Sequence, residues 1–275
     1  MLESSSEEHP EAVAQALTVE QALVNMQSDD LSLRYYAAWW LGKFRISEPS
    51  AVDALIVALE DEADRTELGG YPLRRNAARA LGKLGDKRAV PGLIRCLDSS
   101  DFYVREAAAQ SLEMLHDPVA ISALTPLLVG GVAVAVQVPG RPHLAQPYDA
   151  VLEALGSLQA TVAVPLIQPF IQHPVARVKY AALRAMYQLT TDDTYGQPLV
   201  EALEGSDLKL RRMALTDLGA IGYMPAANAI ARCYVENSFK LIALKGLLEH
   251  QLNRLKVEKL SDDVIQVMNL MDGLL

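Results

Sequence analysis

One pattern recurs seven times along the chain and leaves it few ways to fold. A lead residue, usually basic, is followed by apolar residues three, four and seven positions later. Arg34 leads Ala37, Ala38 and Leu41; Arg74 leads Ala77, Ala78 and Leu81; Arg105 leads Ala108, Ala109 and Leu112. Lys179, Arg211 and Lys240 repeat it with Ala182/Leu183/Met186, Ala214/Leu215/Leu218 and Ala243/Leu244/Leu247, and Tyr148 leads Val151, Leu152 and Leu155. These offsets mark one face of an α-helix. Successive leads lie 40, 31, 43, 31, 32 and 29 residues apart, a period that belongs to stacked helical hairpins rather than to a globule. The expected fold is all-α, a superhelix (solenoid) of about seven hairpins.

A first helix is expected before each pattern helix: from a capping box at Thr18 to about Gln27, then residues 51–60, 89–97, 120–128, 162–171, 197–204 and 225–235. Residues 18–275 then form one array, preceded by a flexible segment of residues 1–17. An amphipathic stretch, residues 261–274, either covers the last hairpin or presents Val264, Val267, Met268 and Met271 to a partner. Asp30, Asp101 and Asp207 stand four residues ahead of Arg34, Arg105 and Arg211, as caps of the second helices. The arginines are expected to reach a neighbouring repeat's cap in a structural ladder. Two insertions interrupt the period, near residues 60–72 and 130–147. Both leave the same edge and are placed to form a rim or lid.

Composition narrows the function. Apolar residues make up 51%, enough for a long core, and a net charge of −9 argues against wrapping nucleic acid or an anionic membrane. Residues 1–17 lack the apolar core of a signal peptide, and Pro126 and Gly130-Gly131 break the apolar stretch of residues 119–138, so no membrane span is expected. Cys96 and Cys233 lie far apart inside apolar helical stretches, as packed thiols of a reducing cytosol do. The histidines share no ligand spacing, so no metal site is proposed.

The departure from the pattern is aromatic. Projected at about 100° per residue, Arg34, Ala37, Ala38 and Leu41 fall on the packed side, and Tyr35, Trp39 and Lys43 fall opposite, with Tyr36 and Trp40 alongside. Both tryptophans of the chain sit here, and leaving such rings in water forfeits roughly 1.5–3 kcal/mol each. Either they pack under a neighbouring segment or they form a shelf for a flat ligand or a partner protein. The same positions hold Arg75, Arg79 and Lys83 in the next pattern helix, Glu106 and Gln110 in the third, and Asp149 and Glu153 in the fourth. Rings select a conjugated plane, arginines select carboxylates or phosphates, and an aspartate accepts from ring N–H groups. An open-chain tetrapyrrole with two propionates meets all three demands. A nucleotide does less well, since no Gly-rich phosphate loop is present.

The residues Tyr35-Tyr36-Ala37-Ala38-Trp39-Trp40, the Leu-Gly pairs such as Leu41-Gly42 and Leu81-Gly82, and the stretch Ser238-Phe239-Lys240-Leu241-Ile242 carry a resemblance. The chain resembles the E subunits of the E/F-type phycobilin lyases, which are built of HEAT-like repeats. The resemblance implies a heterodimer with an F-type subunit that attaches phycocyanobilin, through a thioether bond, to a cysteine of the phycocyanin α chain, with reversal of the transfer as a further expectation. It implies no tightly bound cofactor, phycocyanobilin being the substrate, and a place in the cyanobacterial cytosol or a plastid stroma. The resemblance itself points to Tyr35, Tyr36, Trp39 and Trp40. Projection and ligand logic add Arg75, Arg79 and Lys83 as propionate clamps beside Lys43, Asp149 for pyrrole N–H groups, and Tyr36 or His143 as proton source. Two other readings stand beside it: a non-catalytic scaffold or adaptor in phycobilisome assembly or turnover, and the E subunit of a lyase-isomerase for phycoerythrocyanin.

Overall fold

The computed structural model describes residues 17–254 and 260–275. The flexible segment expected at residues 1–17 therefore lies outside the described residues except for Leu17. Seven hairpins follow one another: α1 (Val19–Asn25) with α2 (Leu31–Lys43), α3 (Pro49–Ala58) with α4 (Pro72–Leu84), α5 (Val90–Cys96) with α6 (Phe102–Leu115), and α7 (Ile121–Leu124) with α8 (Tyr148–Ser157). Then come α9 (Val164–Ile167) with α10 (Ala176–Thr190), α11 (Asp193–Glu201) with α12 (Leu208–Ile221), and α13 (Ala227–Arg232) with α14 (Asn237–Arg254). A last helix, α15 (Asp262–Asp272), buries Val264 and Val267 and leaves Ile265 and Met268 exposed. It covers the final hairpin, so of the four residues considered for a partner only the two methionines retain exposed surface.

The even-numbered helices contact one another in unbroken succession from α2 to α14, whereas the odd-numbered ones touch each other sparsely. The closer layer of a curved stack is its inner one, so the pattern helices line the concave wall. Every alanine and leucine of the stripe in α2, α4 and α6 is fully buried. The Leu-Gly pairs explain how the inner helices come so near. A Cβ at Gly42 would meet the Ala80 Cα at 2.8 Å, and one at Gly82 would meet the Ser111 Cα at 2.9 Å. Only a hydrogen fits between consecutive inner helices there.

Two expectations need correction. The first helices of hairpins four and five are not continuous over residues 120–128 and 162–171: each holds a single α-helical turn flanked by 3-10 turns. Pro126 and Pro169 lack the N–H that the next α turn would use, and the chain tightens to i→i+3 bonding instead. The lead arginines also differ from the ladder. The aspartates do cap, Asp30 accepting from Ser32 N at 2.8 Å and Asp101 from Tyr103 N at 2.8 Å. Arg105 and Arg211, however, donate to carbonyls in the turn of their own hairpin, Ser99 O at 2.7 Å and Gly205 O at 2.6 Å. Carbonyls left free at the end of a first helix need donors, and the guanidinium supplies them.

Candidate functional site on the inner wall

At the first hairpin the wall presents rings to solvent. Tyr35, Tyr36 and Trp39 are 38%, 48% and 43% exposed, and Tyr36 lies against Trp39 with centroids 5.5 Å apart. Among the described residues no neighbouring segment encloses them. Trp40, which the projection sets alongside the shelf, is half-buried against the core and Phe44, with centroids 5.1 Å apart. One residue further round the helix, it faces the hairpin rather than the hollow. Lys43 is exposed at the end of α2.

Further along, both insertions fold onto the same edge and bound a cavity of about 600 Å³. The first contributes Thr66 to Tyr71, held by Tyr71 N donating to Asp101 at 2.8 Å. The Tyr71 hydroxyl donates to Glu62 at 2.9 Å and, with Arg74, holds that carboxyl below its ordinary range. The second insertion forms a tight reversal at Gly140, with Val138 N donating to His143 O at 3.0 Å and Ala145 N to Val136 O at 3.1 Å. His143 then stacks on Phe102, centroids 4.2 Å apart and planes 10° from parallel. Arg75 reaches over the Tyr103 ring at 5.9 Å, and Arg105 and Arg141 complete a basic and aromatic lining. A second hollow of about 300 Å³ lies on the other side of Phe102 and His143, and it brings His143 together with Asp149, Glu106 and Arg177.

The expected site residues thus divide. Arg75 lines the larger cavity, and His143 and Asp149 meet in the smaller one. Tyr35, Tyr36, Trp39 and Lys43 line neither, although their helix adjoins α4 on the same wall. Arg79 points to Glu106 at 4.0 Å, and Lys83 is exposed without an ion pair among the described residues. Asp149 is buried and ion-paired with Arg177, so its carboxylate is already engaged.

Sequence reasoning missed the charged floor beyond this point. Arg184, nearly buried, is ringed by three carboxylates from three helices: Glu113 at 2.5 Å, Glu153 at 3.6 Å and Asp217 at 3.5 Å. Arg184, Glu153 and Asp217 border a third hollow of about 390 Å³ with Arg177, Arg212 and Phe239. One guanidinium does not neutralise three carboxylates. Burial pushes Glu153 up to about 8; Arg184 opposes the shift, while the charges of Asp217, Glu113 and Asp149 add to it. Burial likewise raises Asp217 to about 6 against the pull of Arg184. Burial therefore favours the protonated form of Glu153. The only signal in the sequence was that Glu153 and Arg184 occupy the column of Trp39 and Arg79; nothing in it gave their burial.

A helical-repeat array whose inner wall carries exposed rings, arginines and a carboxyl shifted toward its protonated form defines the class: a repeat scaffold built to hold a ligand. Comparison with known proteins gives the family. Residues 33–61 match the family of PBS lyase HEAT-like repeats and residues 71–133 that of HEAT repeats. The chain is 69% identical over 276 residues to the phycocyanobilin lyase subunit alpha of Nostoc sp. PCC 7120, with all of both chains covered. It is 59% identical to the protein of that name from Picosynechococcus sp. PCC 7002, covering 96% of this chain and 98% of that one. Its fold matches a chain in the complex of CpcE and CpcF of phycocyanin lyase from Nostoc sp. PCC 7120, with a TM-score of 0.91 and 69% identity over 99% of this chain and 100% of that one. The chain belongs to the family of phycocyanobilin lyase alpha subunits. Among the described residues no helix is long and apolar enough to cross a membrane.

Proposed function

We propose that this chain is the E-type subunit of a two-subunit lyase that holds phycocyanobilin and directs its attachment to a cysteine of the phycocyanin α chain in the cytosol. The observation that carries the reading is the inner wall itself: exposed Tyr35 and Trp39 on one helix, with Arg75 and the two insertions enclosing a cavity on the helices beside it. No tightly bound cofactor enters the reading, since the pigment is the substrate.

The reaction joins the acceptor sulfur to the ethylidene carbon of the first pyrrole ring, and the adjoining ring carbon takes a proton. The thiol loses the proton that the ring gains in the net balance, so this chain needs no nucleophile of its own. Its task is orientation, exclusion of side reactions and delivery of one proton. Tyr35 and Trp39 stack on the pigment, while Arg75, Arg79 and Lys83 take its propionates as charge-assisted pairs. His143 is favoured over Tyr36 as proton source because it lines both hollows whereas Tyr36 lines neither. Asp149 reaches pyrrole N–H groups only by exchanging its bond to Arg177 for them. Transfer of pigment back from protein to protein is the same step reversed.

Co-expression with an F-type partner, a bilin source and the phycocyanin α chain tests this. Covalent colour on denaturing gels is expected, and its loss when this chain is omitted. Colour that persists without this chain refutes the reading and returns the array to the scaffold class.

A further inference from the structure

The lead residues reveal a second site, on the edge of the array rather than on its wall. In the first four hairpins each lead is occupied by an insertion. Arg34 ion-pairs with Asp61. Arg74 Nε donates to Asp61 O at 2.6 Å, and its guanidinium pairs with Glu62. Arg105 donates to Gln146 Oε1 and to Ala145 O, both at 2.9 Å, and the Tyr148 hydroxyl reaches Val134 O at 3.5 Å. All these acceptors belong to residues 60–72 or 130–147, and they are main-chain carbonyls, a side-chain amide or carboxylates.

Hairpins six and seven keep basic leads but carry no insertion. Among the described residues Arg211 bonds only to Gly205 O of its own turn; its Nε, like that of Arg34, is buried without an acceptor, where Arg74 Nε and Arg105 Nε each have one. Lys240 makes no side-chain hydrogen bond or ion pair among the described residues, and neither does Arg232, which ends α13 between them. A hollow of about 470 Å³ opens along Leu203, Gly205, Arg211, Asn228, Arg232 and Tyr234. It continues into a second of about 460 Å³ that shares Arg211, Arg232 and Tyr234 and reaches Lys240. Tyr234 is 90% exposed. Of the carboxylates at the rim, Glu236 is spoken for by Arg212, leaving Glu204 against three cations.

We infer that this groove receives an extended acidic segment of the acceptor protein, which supplies in trans the carbonyls and carboxylates that the insertions supply in cis to the earlier leads. The acceptor is the occupant because the groove and the cavity rim share the edge formed by the turns between first and second helices. A protein seated there lies over the mouth through which its cysteine must reach the pigment. Tyr234 provides a flat contact for the segment, and the guanidinium of Arg232 a fork for a carboxylate. The identity of the occupant rests on the proposed lyase reading; the groove itself does not.

The test uses the two-subunit complex and the pigment-free phycocyanin α chain. The double variant Arg232→Glu with Lys240→Glu, both at side chains without partners, is expected to weaken binding of that chain at least tenfold. KM for the acceptor should rise in proportion while kcat and bilin affinity stay as they were. Unchanged acceptor binding overturns the inference. Loss of the second subunit on gel filtration also overturns it, since the groove would then be the subunit interface. Failure of the wild-type complex to attach pigment at all is a different result, and it refutes the lyase reading instead.

Discussion

The two ends of the inner wall use the same helical positions in opposite ways. On α2 they hold Tyr35 and Trp39, whose exposed side chains make no hydrogen bond among the described residues. From α6 to α12 they hold Glu106, Asp149, Glu153 and Arg184; the first two pair across helices with Arg177, and Arg184 gathers Glu153 with the adjoining Glu113 and Asp217. Nothing in the packing forces either choice, because the stripe at offsets of zero, three, four and seven builds the array by itself. The wall is therefore free to carry rings where contact with a ligand is wanted and ions where its floor is to be fixed. Removing the rings should cost binding; removing the ions should cost the fold.

The largest expected effect lies in the ionic half. Arg184→Met leaves Glu113, Glu153 and Asp217 without their shared cation, a loss of about 3–5 kcal/mol in urea unfolding at pH 8. At pH 5, where Glu153 and Asp217 take up protons, the loss shrinks. Equal losses at both pH values would show that packing, not charge, keeps Arg184 there.

Next comes the spacing that both halves share. Gly82→Val drives a side chain into the Ser111 backbone and is expected to cost about 1–3 kcal/mol, with a fall in Tm. A tolerated valine would mean the inner helices can separate, and that the wall's curvature is adjustable.

Glu153→Gln probes the proton itself. With the folded value near 8 and the ordinary value at 4.5, the folded chain holds a proton that the unfolded chain releases between those limits. Folding stability therefore falls as pH rises from about 4.5 to about 8, and is flat on either side so far as this group decides it. The glutamine variant should lose that slope. The smallest effect on stability belongs to Trp39→Ala, within about 0.5 kcal/mol by urea unfolding, with pigment binding weakened and helicity kept. A larger destabilisation would move Trp39 into the architecture and erase the contrast between the ends.

The sequence carried the array because each hairpin is a local object, its stripe and Asp caps lying within about fifteen residues. It failed where prolines break helices inside an apolar run, as at Pro126 and Pro169. It failed more completely at the charged floor. Arg184 meets Glu113 across 71 positions, and such a pair leaves no periodic trace. Trp39 was legible because two tryptophans fell off the stripe together, whereas Trp40, one step away, needed the packed structure to be assigned. The cavity was half legible: the insertions announced an edge, but the Phe102–His143 stack that divides the two hollows joins residues 41 apart.

The two cysteines, already read as packed thiols, acquire a meaning from the chemistry assigned to the wall. Cys96 is buried, its thiol pushed up to about 11 chiefly by desolvation, and Cys233 is buried and raised in the same direction. A pigment that captures thiols would be just as ready to capture those of its handler. Burial that keeps both thiols protonated lowers their reactivity toward such a cargo and favours its departure on the intended recipient.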